Sequence, residues 1–171
     1  KPGDVVLGLA SSGPHSNGFS LIRKIVEVSG ASWDMPFDGA TLADRLMEPT
    51  RIYCKQVANV MKKVPIHAMA HITGGGLVEN VPRVLPEGTQ VVIHRDSWKR
   101  PAIFDWLQKE GNVAEDEMLR VFNNGIGLVV IVPAEAADAA VSAFESEGEK
   151  VYRLGEVVNR ANAADPGCVV I

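Results

Sequence analysis

The sequence predicts a domain of α-helices and β-strands together, with a mixed sheet covered by helices. Three observations carry that expectation. Apolar runs of strand length, bounded by turn residues, recur at Val5 to Leu9, Thr89 to Ile93, Leu128 to Val132, Val151 to Val158 and Cys168 to Ile171. Between them, apolar residues return at every third or fourth position, the period of a helix with one buried face. The last two runs, joined by a loop, read as an antiparallel pair added to a sheet whose earlier strands alternate with helices.

Taken in order, the first strand feeds a helix whose buried stripe is Phe19, Ile22, Ile25 and Val26. Trp33 to Thr41, punctuated by Pro36 and Gly39, reads as a loop, and Leu42 to Met47 as a short helix. Tyr53, Val57, Val60 and Met61 form the next stripe. From Ile66 to Thr73 apolar residues alternate with His67, Met69 and His71, which is the period of a strand. On a strand those two histidines stand roughly 13 Å apart, too far to share one metal ion. Helices follow at Leu77 to Leu85, interrupted by Pro82, at Ala102 to Lys109 and at Glu115 to Phe122. A last stripe is Ala137, Ala140, Val141 and Phe144. Each stripe reads as core and not as a cofactor box.

At 171 residues the chain is one domain that buries on the order of 70% of its unfolded surface. Its 17 basic and 21 acidic side chains give a net charge of −4, and no Lys/Arg cluster exceeds a pair. That pattern argues against nucleic acid or an anionic membrane as a partner. The two cysteines, Cys54 and Cys168, lie far apart, which suits a reducing, cytoplasmic compartment better than a disulfide framework. The longest apolar run, Leu128 to Pro133, falls far short of the roughly 20 residues of a membrane span. A chain opening on Lys1-Pro2-Gly3-Asp4 without an initiating Met reads as part of a longer protein. There is no internal repeat and no low-complexity tract.

Familiar nucleotide signatures are missing: there is no G-x-x-x-x-G-K-[ST], and no G-x-G-x-x-G follows a strand. No G-x-S-x-G elbow is present and neither cysteine has a His nearby, so hydrolase chemistry has no support. Two segments stand out. Ser11-Ser12-Gly13-Pro14-His15-Ser16-Asn17-Gly18 leaves a buried strand at its carboxyl end, the usual place for ligands in such sheets, with many polar side chains. The alternative is an ordinary turn with Ser16 or Asn17 as helix N-cap. His71-Ile72-Thr73-Gly74-Gly75-Gly76 also joins a strand to a helix, and successive glycines let backbone N–H groups and the helix dipole approach an anion closely. Its alternative is a flexible turn. A weaker segment, Phe122-Asn123-Asn124-Gly125-Ile126-Gly127, reads as a hairpin-like Asn-Gly turn before a strand.

Together, Ala10 to Leu21, Ala70 to Leu77, Asn80-Val81-Pro82-Arg83-Val84-Leu85-Pro86 and Phe122-Asn123 with Gly125-Ile126-Gly127 closely resemble aminoimidazole ribonucleotide synthetase, the phosphoribosylformylglycinamidine cyclo-ligase family of purine synthesis. The resemblance runs from Lys1 to Ile171 and covers only the C-terminal half of that enzyme. It implies an α+β fold, a three-layer α/β/α domain with a mixed β-sheet, as the second domain of a homodimeric enzyme. It also implies ATP-dependent closure of an imidazole ring with Mg²⁺, most ATP and metal ligands coming from the N-terminal domain and no metal ligand from this chain. Carried over residue by residue, His15 and Asn17 are the expected catalytic pair, in polar contact with substrate or phosphate. Ser11, Ser12, Gly13, Gly18, Thr73, Gly74, Gly75, Gly76 and Asn123 are the expected substrate and phosphate contacts, while His71 either contacts ligand or only orients the glycine loop and Asn124 has no assigned role. A catalytically inert ligand-binding or regulatory module of the same fold is the alternative.

Overall fold

The computed structural model describes all residues, Lys1–Ile171. In chain order it runs β1 (Val5–Ala10), α1 (Phe19–Ser29), β2 (Pro36–Phe37), β3 (Ala40–Thr41), α2 (Leu42–Leu46), α3 (Cys54–Val60), β4 (Ala68–His71) and α4 (Gly76–Asn80). It continues with β5 (Thr89–Ile93), α5 (Ala102–Gly111), α6 (Glu115–Val121), β6 (Ile126–Val132), α7 (Ala137–Ser146), β7 (Val151–Asn159) and β8 (Cys168–Val170). The expected helices and main strands all form. Pro82 falls in a 3₁₀ turn, Val81–Val84, that continues α4, as a residue without a backbone N–H dictates.

Six strands make one sheet in the order β4-β6-β1-β7-β5-β8. All pairings are antiparallel except β5 with β8. The sheet is mixed, as expected, but its two closing strands do not pair with each other. β8 crosses over to lie parallel to β5, with Val91 opposite Cys168. The loop Trp33 to Thr41 also differs from expectation, since Pro36–Phe37 and Ala40–Thr41 pair as a minimal hairpin. Asp38 and Gly39 turn it at positive φ.

β6 is buried along its whole length because it lies between β4 and β1 and both sheet faces are covered. Alternate residues point to opposite sides: Val6 enters a cluster with Leu77 and Val81 of the α4 region, while Leu7 and Leu9 enter one with Val60 of α3 and Ala140 and Phe144 of α7. A third cluster lies among helices, joining Ile22 and Ile25 to Leu42, Phe104, Leu107, Met118 and Phe122. This gives the three-layer α+β arrangement, and the loops leaving β1 and β4 lie with the turn entering β6 at one end of the sheet.

The β1–β6 register slips between Leu9 and Ala10: Leu9 faces Leu128, Ala10 faces Ile126, and Gly127 is the extra residue. A bulge of this kind bends the strand and re-aims the residues beside it. A Cβ at Gly127 would stand 2.0 Å from the Tyr53 hydroxyl and 2.7 Å from Cε1 of His15. The bare glycine backbone is what lets those two rings reach the end of the sheet.

Candidate functional site

The Ser11–Gly18 loop is held from below by one buried amide. Ser11 Oγ donates to Oδ1 of Asn123 (3.1 Å), Nδ2 of Asn123 donates to the Gly13 carbonyl (2.9 Å), and the Gly125 N–H donates back to Oδ1 (2.8 Å). Asn123 has no solvent exposure. Its side chain is therefore spent on the loop within this chain. From above, Ser12 Oγ donates to the Pro49 carbonyl and Ser16 Oγ meets Thr50 Oγ1.

His15 lies inside this loop at φ 57, a left-handed backbone rare outside glycine. It is 4% exposed. Its Nε2 accepts the N–H groups of Ser12 (3.2 Å) and Arg51 (3.4 Å). Burial, then the His71 and Arg51 charges, push its pKa down to about 4, so the ring is neutral near pH 7. Asn17 is half-buried and its side chain makes no hydrogen bond within the protein. The expected capping role of Ser16 or Asn17 does not occur: Gly18, at φ 74, is the N-cap of α1 without any side-chain bond.

Thr73–Gly76 is built on Asn80, which is 4% exposed. Its Nδ2 donates to the carbonyls of Thr73, Gly74 and Gly76, and its Oδ1 accepts from Thr73 Oγ1. The three glycines have different reasons to be glycine. A Cβ at Gly76 would sit 1.9 Å from the Leu119 carbonyl oxygen, so this one packs against α6. Gly75 caps α4 at φ 96. Gly74 is exposed with open space at its Cβ position. The backbone N–H groups of Gly18, Gly74 and Gly75 donate to nothing in the protein. Because α4 has only 5 residues, these free amides, and not a long helix dipole, are what the loop offers an anion.

The two loops meet. Gly18, Gly74, Gly75, Glu79, Arg120 and Val121 line one open cleft of about 290 Å³. A second recess, of about 230 Å³, is lined by His15, Ser16, Phe19 and the Met47–Thr50 segment. Beyond it an apolar cleft of about 510 Å³ runs over Arg51 to Cys54, Met69, His71 and Leu128. His71 is exposed there, its ring centroid 6.5 Å from that of His15. No three His, Cys, Asp or Glu side chains gather to hold a metal ion.

Several of these residues carry no motif in the sequence. Arg51 anchors its guanidinium on the fully buried Glu149 carboxylate (Nε to Oε2, 2.9 Å) and on the Gly148 carbonyl, while its backbone meets His15. Tyr53 fits its core stripe, yet its hydroxyl donates to the Ala10 carbonyl at 2.7 Å, with burial and the Glu149 charge raising its pKa. Glu79 and Arg120 flank the glycine cleft. Asn124, in the expected Asn-Gly turn, has φ 51 beside Gly125 at φ 100. The turn joins α6 to β6 instead of closing a hairpin, and Asn124 Nδ2 holds the Met118 and Phe122 carbonyls.

A family model described as AIR synthase related protein, C-terminal domain, matches residues 1–164. Phosphoribosylformylglycinamidine cyclo-ligase of Cupriavidus pinatubonensis is 54% identical over 169 residues, covering 99% of this chain and 48% of the relative. The same-named protein of Nitrosospira multiformis is 54% identical over 157 residues, covering 92% of this chain and 45% of the relative. The chain thus spans about half the length of the curated relatives it matches. Among solved structures, hydrogenase maturation protein HypE in complex with ATP superposes with a TM-score of 0.66 at 23% identity, over 99% of this chain and 48% of that one. Thiamine-monophosphate kinase from Stenotrophomonas maltophilia gives 0.67 at 16% identity, over 99% of this chain and 50% of that one. Likeness at that identity speaks to the fold alone.

Proposed function

The chain belongs to the AIR synthase related family, as its C-terminal domain, and on that premise we propose that it is the C-terminal half of a phosphoribosylformylglycinamidine cyclo-ligase. The single domain 1–171 then supplies one wall of a cleft completed by a preceding domain. The whole enzyme converts formylglycinamidine ribonucleotide and ATP into aminoimidazole ribonucleotide, ADP and phosphate. It works in the cytoplasm as a homodimer.

The reading is carried by the convergence of the Ser11–Gly18 and Thr73–Gly76 loops on one cleft, with three unused backbone N–H groups at Gly18, Gly74 and Gly75. In the reaction, the amide oxygen of the substrate takes the γ-phosphoryl group of ATP. The neighbouring nitrogen then attacks the activated carbon, the carbon–oxygen bond breaks with release of phosphate, and the nitrogen loses a proton. Negative charge on a phosphoryl group entering the cleft would meet those N–H groups and Arg120, whose guanidinium is paired with Glu117, with the Glu79 carboxylate on the same rim. Asn17, with no internal partner, and the Thr73 loop backbone are the polar contacts this chain can lend. Ser11, Ser12 and Asn123 shape the loop from within. Mg²⁺ fits no cluster here, and its ligands are assigned to the preceding domain.

The test compares this chain with the full-length protein in a cyclo-ligase assay that follows ADP and aminoimidazole ribonucleotide. Turnover by the full-length protein, with none from residues 1–171 alone, is the expected result. Robust ring closure by the isolated chain, or none by the full-length protein, overturns the shared-cleft reading.

A further inference from the structure

We propose that His15 is a positioning residue and not a proton-transfer group: its Nε2 is the clamp that ties the Ser11–Gly18 loop to the Pro49–Tyr53 segment. Two backbone N–H groups from separate parts of the chain converge on that one nitrogen, from Ser12 at 3.2 Å and from Arg51, 36 residues beyond His15, at 3.4 Å. A nitrogen that accepts two N–H groups carries no hydrogen, so the ring is the Nδ1–H tautomer. Adding a proton at Nε2 would turn the acceptor into a third donor aimed at two donors. Both bonds would be lost, and a charge would be buried without a counter-ion.

The surroundings reinforce this. The groups that face His15 are the His71 ring at 6.5 Å on β4, the Tyr53 ring at 6.5 Å beside α3, Arg51 from the 49–53 segment, and Glu48 across the recess. The Glu149 carboxylate is engaged by Arg51. His71 and Arg51 both disfavour a positive ring, and burial acts in the same direction. The Nδ1–H of this tautomer is buried and donates to nothing in the chain, a cost that the two bonds to Nε2 offset, and the His15 backbone is held at positive φ with its ring over the bare backbone of Gly127. The clamp also transmits a position. Arg51, held at its backbone by His15 and at its guanidinium by Glu149 and Gly148, links the loop to the turn between α7 and β7.

Two measurements decide. The first needs no activity: imidazole ¹⁵N spectra of the 171-residue chain should show an Nδ1–H, Nε2-acceptor ring at pH 7 with no titration between about pH 5 and 8. An Nε2–H tautomer or a midpoint in that interval overturns the proposal. The second rests on the cyclo-ligase reading and uses the full-length enzyme. His15→Gln, whose amide oxygen can accept both N–H groups, should keep kcat within about ten-fold of wild type. His15→Ala should lose on the order of 10–100-fold, as groups that orient contact residues do. Neither should remove a limb of the pH–rate profile. A proton-transfer role predicts instead that Gln falls by about 10²–10⁴ and loses a limb, which overturns the proposal. Absence of turnover in wild type defeats the cyclo-ligase reading alone, since the spectra still decide the clamp.

Discussion

The Ser11 hydroxyl donates to Oδ1 of Asn123 across 112 residues of chain, at 3.1 Å, in a place no solvent reaches on the Asn123 side. This bond ties the loop leaving β1 to the turn entering β6, the two strands whose register slips at Gly127. The same amide holds the Gly13 carbonyl and the Gly125 N–H, so one side chain joins the start of the loop to the turn before β6.

Asn123→Ala should therefore cost stability first. It leaves the buried Gly13 carbonyl and Gly125 N–H without partners, about 1–3 kcal/mol each, and lowers the melting temperature by roughly 5–20 °C. Asn123→Asp should cost at least as much, because a carboxylate cannot donate to the Gly13 carbonyl. Scanning calorimetry checks both. An unchanged melting curve with weakened nucleotide binding would instead put the amide on the ligand.

The glycine loop separates packing from ligand approach. Gly76→Ala drives a Cβ to within 1.9 Å of the Leu119 carbonyl oxygen and should destabilise by about 3 kcal/mol or more. Gly74→Ala meets only open space and should leave the melting curve within about 0.5 kcal/mol of wild type. In the full-length enzyme it should still weaken ATP or substrate binding, measured by calorimetric titration. Unaltered affinity would remove Gly74 from the site.

The only hydrogen bond from Asn17 is that of its backbone N–H to the Pro14 carbonyl, which a change of side chain leaves in place. Asn17→Ala in the full-length enzyme should leave melting nearly unchanged while kcat falls by about 10²–10³, the scale of one lost contact to developing charge. Steady-state kinetics beside thermal melts checks this. Normal turnover would assign Asn17 to the surface.

His15 also makes a prediction about acid. Its folded pKa, about 4, lies below the ordinary value near 6.5, so between these limits the unfolded chain binds a proton that the folded chain refuses. Stability then falls as pH drops from about 6.5 towards 4 and is unaffected by this group above that range. Denaturant unfolding across that interval should be less steeply pH-dependent in His15→Gln than in wild type. Equal slopes would show that other groups carry the acid sensitivity.

Most of the architecture was legible in the sequence by itself. Periods of two and of three to four, read with Gly and Pro punctuation, located every main strand and helix, because burial on one face is a local pattern. The resemblance of two polar loops and of Asn80 to Pro86 to a purine-synthesis family was likewise present in the residues alone. What the chain's own periodicity did not carry was pairing between distant segments. β8 adds to β5 and not to β7 because β7 is already paired on both sides, with β1 and with β5, and only the assembled sheet shows which strand keeps an open edge. The hairpin at Pro36–Thr41 is too short to show alternation. Side-chain roles were decided the same way. Asn123 and His15 look like site residues in the loop sequence, yet their hydrogen bonds reach Gly13 and Arg51. Arg51 itself has no motif; its partners Glu149 and His15 lie 98 and 36 positions away. A hydrogen bond depends on distance and direction in space. Sequence spacing reports neither once the contact spans separate elements, which is why the loops were visible from the chain and the clamp between them only from the fold.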